Sequence, residues 1–334
     1  MPELPEVHTT VEGIKKLVVG KTVKDVWSDF HIKTAHGERQ TLKNKKYYEN
    51  FRKIVKGKKI IGAERRGKNI LINLNNLYTI VIHMKMTGHV MYGKYKFKNS
   101  SVNEPCEPRR SEHEEFSSKK ISVRESRRNF GTWAAIEKGP LQDPYNQYIH
   151  FVISLSDGKH LVLSDMRKFA SVTISKTSEL HLHDSIEALG IDPLDKKLNP
   201  RLLREIIYKR KNMPIKSALL DQTGLAGIGN IYSDEVLWET GIHPLSPAFK
   251  IPIKKFPQIL KVMQKILKFS IKHGGDSKSD YRNILGEKGG FQNFHKVYGK
   301  KGAKCPKQNC RGIIERLVVK GRSAHFCPRH QTKY

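Results

Sequence analysis

The segment LPEVHTTVEGIKKLV alternates apolar and polar positions at helical spacing, which predicts a helix over residues 4–18 with Pro5 and Glu6 in its first turn. That places the chain terminus against a helix N-terminal end, where the dipole favours negative charge. Residues 58–66, 69–74 and 79–86 then alternate or run apolar, separated by turn residues at 67–69 and 75–78, and predict a β meander. Residues 96–143 are polar, charged and irregular, and read as a solvated insertion or mobile loop. Strands resume at 149–155 and 160–165, joined by the hairpin signal Asp157-Gly158. Beyond about residue 178 the period turns helical, with helices expected at 199–210, 215–222, 231–240 and 258–272. The last of these gathers Ile259, Val262, Met263, Ile266 and Phe269 on one face. The tail, 291–334, returns to short strands around cysteines, so the expected domains are 1–178, 179–290 and 291–334. No internal repeat is visible.

Composition narrows the function. Against 32 Asp and Glu stand 62 Lys and Arg, a formal charge of +30 on 334 residues, far more than solubility requires. A polyanion is the expected partner, with nucleic acid ahead of a membrane surface. No run approaches the roughly 18 apolar residues of a membrane helix, and MPELPEVHTT lacks the basic and apolar regions of a signal peptide. The expectation is a soluble, cytoplasmic monomer with no membrane partner. Three of the four cysteines crowd into the tail as Cys305-x4-Cys310-x16-Cys327, followed by x2-His330. Two close pairs across a hairpin-length spacer are zinc-ligand spacing, and four protein ligands make a closed, structural site for one Zn2+. His325 is a nearby alternative to His330 as the fourth ligand. Cys106 reads as a bystander.

Two further segments bear on chemistry. Gly227-Ile228-Gly229-Asn230 leads into a helix beginning IYSDE. Two glycines allow close backbone approach, Asn230 is a candidate N-cap, and free amides at 230–232 suit a phosphate. The same pattern also fits an ordinary turn and cap. At the terminus, removal of Met1 gives Pro2 a secondary amine, with Glu3 beside it and Glu6 one turn on. An α-amine titrates near about 7.7–8.0, so part of it is neutral at physiological pH and able to attack a sugar carbon. Glu3 suits general acid/base work. PELPE alone is also a well-capped helix start.

Six ordered segments, PELPEV, ERRGKN at 64–69, HMKMTG at 83–88, SDMRKF at 164–169, GIGNIYSDE at 227–235 and VYGKKGAKC at 297–305, resemble the formamidopyrimidine-DNA glycosylase and endonuclease VIII superfamily. The resemblance covers nearly the whole chain outside 96–143. It implies an α+β multidomain fold: an N-terminal β sandwich flanked by helices, then a helix-two-turns-helix domain with a β-hairpin zinc finger, and DNA in the cleft between. It implies a bifunctional glycosylase/lyase that excises 8-oxoguanine and formamidopyrimidines from duplex DNA and cleaves the strand by β,δ-elimination, acting also on abasic sites. Pro2 is then the nucleophile and Glu3 the proton donor, with Lys68 and Arg322 contacting phosphate at the reacting nucleotide and Glu6 and Glu235 supporting. His83, Met86, Arg167, Lys168, Phe169, Lys216 and Asn230 are implied DNA contacts, Met86, Arg167 and Phe169 filling the void left by an everted nucleotide. Residues 274–292 correspond to a mobile loop closing over the everted base. Lys168 stands where a second arginine is usual, His330 where a fourth cysteine is, and Asp276 where a small hydroxyl residue is. RRNFGTW at 127–133 mimics the void-filling motif, but Arg167 and Phe169 are preferred to Arg128 and Phe130. The alternatives are an endonuclease VIII-like enzyme for oxidised pyrimidines and a DNA-binding zinc protein without chemistry.

Overall fold

A computed structural model of the chain describes residues 1–31, 41–99 and 131–334. In chain order it contains α1 (Leu4–Leu17), β1 (Val23–Ser28), α2 (Lys45–Val55), β2 (Ile60–Arg66), β3 (Asn69–Leu74), β4 (Tyr78–His83), β5 (His89–Gly93) and β6 (Tyr95–Lys98). There follow β7 (Thr132–Ala135), β8 (Ile149–Leu155), β9 (His160–Ser164), β10 (Ser171–Lys176), α3 (Pro200–Tyr208), α4 (Ile215–Leu220), α5 (Asn230–Thr240), α6 (Phe256–Lys272), β11 (Glu315–Val319) and β12 (Arg322–Phe326).

Two antiparallel sheets, ordered β1-β8-β9-β5 and β10-β4-β3-β2, form the expected sandwich. Val26, Phe151 and Leu163 of one share a buried cluster with Ile70, Ile82 and Val172 of the other. Strict alternation fails where the register slips: a shift between Val23 and Asp25 lets Val23 and Val26, three apart, both face the core. α1 lies against β2 on one flank. A second core is built from α3 to α6 and includes Leu203, Leu219, Val236 and Met263.

Helix α1 belongs to both cores, since Leu4 is buried in the helical one and Val7, Val11 and Ile14 in the sandwich. The Leu4 N–H donates to Gly227 O at 3.0 Å. The N-terminus is therefore fixed at the seam between the two cores, which is what positions the site.

Three points of the sequence reading need correction. Segment 45–55, assigned no element above, is a helix with Tyr47, Tyr48, Phe51, Ile54 and Val55 at helical spacing, held by burial of Phe51 and Val55 and by Asn44 Oδ1 accepting from the Tyr47 N–H at 3.0 Å. The ends of the supposed irregular insertion are strands: β6 pairs with β7. Phe97 and Trp133, 5.5 Å apart, pack with Trp27 at 5.8 and 6.3 Å, so an aromatic cluster holds these two ends together. The third correction is the strand expected at 79–86, which stops at His83 and gives way to a turn. Residues 100–130, with Cys106, Arg128 and Phe130, lie outside the described residues, as do 32–40. Among the described residues no helix is long and apolar enough to cross a membrane.

Candidate active site

Met1, Glu3, Lys68, His83 and Arg322 line one cleft at the seam. Pro2, next to Met1 in the chain, is buried. Glu3 is 2% and Glu6 1% exposed. Glu3 Oε1 accepts from the Ile231 N–H at 3.0 Å, at the start of α5, while Oε2 has no protein partner among the described residues. Glu6 is saturated: Oε2 accepts from the Glu3 N–H at 2.7 Å, and Oε1 from the Tyr232 hydroxyl at 2.5 Å and the Asp276 N–H at 2.8 Å. Burial pushes Glu3 up, against the pull of Lys68. Burial, then the adjacent Glu3, pushes Glu6 up to about 7. Two buried carboxyls this close do not readily ionise together, so the pair retains a proton near neutral pH.

The helix end expected to hold a phosphate thus holds a carboxyl of the chain itself. Gly229, not Asn230, is the N-cap of α5. A Cβ on Gly229 would sit 2.2 Å from Glu3 Cδ, so the close approach its glycine permits is to Glu3. Asn230 is the first helical residue, its Nδ2 donating to Ser323 Oγ at 3.3 Å on the tail hairpin.

Lys68 sits on the two-residue turn between β2 and β3, 7% exposed. Burial lowers its pKa, Glu3 opposing and Arg322 assisting. Arg322 follows the tight Lys320-Gly321 turn of β11–β12. Burial, then Lys85 and Lys68, depresses His83 to about 3. Its Nδ1 accepts from the Lys85 N–H at 3.0 Å, which puts the proton of the neutral ring on Nε2.

Lys216 departs from its expected place on the DNA surface. It is 0% exposed, its ammonium bonded to Asp234 Oδ1. Asp234 Oδ2 in turn takes the His325 N–H at 2.9 Å and Nδ1 at 3.0 Å. Lys216 therefore anchors the hairpin that carries Arg322 from beneath, too deep to meet a phosphate directly. Glu235 anchors the same tail, accepting from the N–H groups of Lys296, Val297 and Tyr298 at 2.9–3.1 Å.

Met86 and Phe169, which would be core residues on strands, stand on turns. Met86 is 38% exposed. The Arg167 guanidinium lies over the Phe169 ring at 4.4 Å. The two turns are stitched by buried Asp165, which accepts from Thr87 Oγ1 and from the Arg167 and Ala170 N–H groups at 3.3 and 2.6 Å. Lys168 turns instead toward Asp29, its Nζ at 2.9 Å from Oδ2.

Segment 274–292 is packed over much of its length. Arg282, 1% exposed, pairs with Asp143 at 3.1 Å; Tyr281 OH donates to Glu6 O at 3.0 Å; Ile284 joins the sandwich core. Asp276, Lys278 and Ser279 remain at the cleft. Asp276, which stands out in the sequence only as a departure from the family pattern, supplies Glu6 with an amide, and its carboxylate meets buried His295 at 2.6 Å. Tyr232, Asp234 and Asp165 carry no such mark; only the Asp-x-Arg turn pattern gives a local signal, for Asp165.

The ligand atoms of Cys305, Cys310, Cys327 and His330 all lie within 4.8 Å of one another. His330 Nδ1 faces Cys305 Sγ at 3.4 Å, and its Nε2 is engaged by Trp238 O at 2.9 Å, which fixes the ring's orientation. His325 is committed to Asp234 and drops out as a ligand. Gly312 donates its N–H to Cys310 Sγ at 3.4 Å, and a Cβ there would meet Cys327 Sγ at 2.5 Å. Three thiols and an imidazole in such a cradle fit one structural zinc. A Cys310→Ser chain is expected to lose its metal, about one zinc per chain, and amide protection across 315–326, while 69–83 stay protected. Retained zinc, or unchanged exchange in the hairpin, overturns this.

Residues 1–172 match the model of the formamidopyrimidine-DNA glycosylase N-terminal domain, 189–282 that of its H2TH domain, and 302–329 that of the zinc finger found in FPG and IleRS. Formamidopyrimidine-DNA glycosylases of Lactobacillus acidophilus and Bacillus cereus are 32% and 31% identical to the chain, over 100% and 98% of both sequences. The Lactococcus lactis Fpg, solved with DNA containing an abasic site, matches with a TM-score of 0.74 at 27% identity, covering 99% of this chain and 100% of that one.

Proposed function

This chain belongs to the formamidopyrimidine-DNA glycosylase family, and on that premise we propose how its cleft removes an oxidised purine from duplex DNA and then cuts the strand. The observation that carries the proposal is the seam itself, where Met1 and Glu3 line one cleft with Lys68 and Arg322, and Pro2 and Glu6 are buried next to them in the chain.

With Met1 removed, the Pro2 nitrogen is a secondary α-amine, a class of group that titrates near about 7.7–8.0 in model peptides and so is partly neutral at physiological pH. Its lone pair attacks C1′ of the everted nucleotide, and the C1′–N bond breaks as the base departs with a proton. Opening of the C1′–O4′ bond, with a proton delivered to O4′ from Glu3 Oε2, leaves an iminium on Pro2. That cation acidifies C2′–H, and loss of the proton expels the 3′ phosphate; a second elimination releases the 5′ phosphate. Lys68 and Arg322 hold the flanking phosphates, while Met86, Arg167 and Phe169 fill the vacated stack. The zinc-bound hairpin keeps Arg322 in place. Duplex DNA with 8-oxoguanine, formamidopyrimidine or an abasic site is the substrate, and the domains are 1–178, 179–290 and 291–334.

Glu3→Gln is expected to bind lesion DNA but lose base release by about 10²- to 10⁴-fold, the usual worth of a general acid. Glu3→Gln also removes the like charge that, after burial, raises Glu6, so the Glu6 titration moves to lower pH. Wild-type stability should also fall as pH rises from about 4.5 through about 7, because burial favours the protonated form of Glu6. Undiminished excision by Glu3→Gln, or a Glu6 titration that Glu3→Gln leaves in place, overturns these roles. An intact enzyme that prefers dihydrouracil to 8-oxoguanine belongs to the pyrimidine-directed reading instead.

A further inference from the structure

We propose that the outward face of α6 is a second binding surface for duplex DNA, separate from the cleft; the proposal rests on the DNA-directed reading above. Lys261, Lys265, Lys268 and Lys272 recur at steps of four, three and four residues, which at about 3.6 residues per turn gathers them into a sector of roughly 60°. All four are exposed. Directly opposite lie Ile259, Met263, Leu267 and Ser270, all buried, so the lysines point straight away from the core.

The helix FPQILKVMQKILKFSIK has no acidic residue, and none of the described ion pairs uses these lysines. Like charges three and four apart repel along a helix. A face selected only for solubility relieves that repulsion with interleaved glutamates, and this one does not. The ridge is about 16 Å long at 1.5 Å per residue, long enough to follow one strand past several phosphates. A shallow groove lined by Pro257, Leu260 and Gln264 runs among the lysines, and no residue of α6 lines the cleft. An anionic membrane fits less well, because a helix that lies on lipid must present its apolar face, and here that face is spent on the core.

A surface of this kind holds a neighbouring segment of duplex while the cleft inspects another, lengthening each encounter with undamaged DNA. The test compares the wild-type chain with Lys261→Gln/Lys265→Gln/Lys268→Gln/Lys272→Gln, a substitution nearly neutral for helix formation. Sedimentation with a short fluorescent lesion-free duplex at low salt should show two duplexes per wild-type chain and one per variant. The wild-type second event should carry a log-log salt slope of up to about −3.6, from roughly −0.9 per phosphate met. Both chains should cleave a short lesion duplex at equal rates, and replacing the same lysines by arginine should restore the second event. Equal stoichiometry in both chains overturns the proposal, as does capture of phosphatidylserine vesicles in place of the second duplex. Slower cleavage of the short duplex by the variant overturns it too, by putting the ridge in the primary site. A wild-type chain that binds no duplex at all defeats the DNA-directed reading itself.

Discussion

A chain that keeps Met1 is expected to yield no borohydride-trapped complex with lesion DNA and to lose base release by on the order of 10³-fold or more, the scale of losing a nucleophile. With Met1 in place the Pro2 nitrogen is part of a peptide bond, its lone pair delocalised into the carbonyl and unavailable for attack. Met1 also lines the cleft, while Pro2 is buried. Processing does two things at once: it frees the amine and clears the space beside Lys68. Binding should suffer far less, since it draws on a chain of formal charge +30 and on Arg322, which also lines the cleft. Pro2→Gly, processed to a free terminus, offers a primary amine and should still be trapped, at a reduced rate. Peptide mapping decides the matter: an adduct on a lysine, or full trapping by the Met1-bearing chain, removes Pro2 from the role of nucleophile.

How far the sequence reveals this arrangement depends on how local each determinant is. The zinc ligands are legible because two close pairs and a hairpin spacer encode the geometry almost directly. The choice between His325 and His330 is not, because it is decided by Asp234, far away in sequence, which occupies the first. The strands 69–74 and 149–155 stand where their apolar runs put them, since strand period and burial agree there. Helix α5 defeats the same reasoning. It is buried on every side from Tyr232 to Trp238, so Tyr232, Asp234 and Glu235 are internal braces rather than a solvent-facing polar stripe, and no periodicity separates the two cases. The GIGN turn misleads for a related reason. A glycine-rich helix start signals an acceptor close by, and only the folded chain reveals that it is the Glu3 carboxyl. The packed part of 274–292 is hidden likewise, because Arg282 and Ile284 find their partners across the domain seam.

Replacing Asp234 by Asn is expected to destabilise the chain by about 3–5 kcal/mol, because it leaves the Lys216 ammonium buried without its counter-charge. Lys216 is 0% and Asp234 1% exposed. Burial already lowers the Lys216 pKa, and Asp234 is the largest influence holding it up. Without the carboxylate the lysine should shed its proton on folding, while in the unfolded chain it titrates near about 10.4. The unfolded state then binds more protons than the folded one, so the variant gains stability relative to wild type as pH rises toward that value. The hairpin should loosen as well, since Asp234 also receives the His325 N–H and ring, and Arg322 sits at its tip. Lys216→Met/Asp234→Leu removes both charges and keeps apolar bulk, so it should recover much of the loss. Denaturant unfolding of the three variants across pH provides the check. An Asp234→Asn deficit under about 1 kcal/mol, or one that does not shrink with rising pH, means that Lys216 does not depend on this carboxylate for its charge.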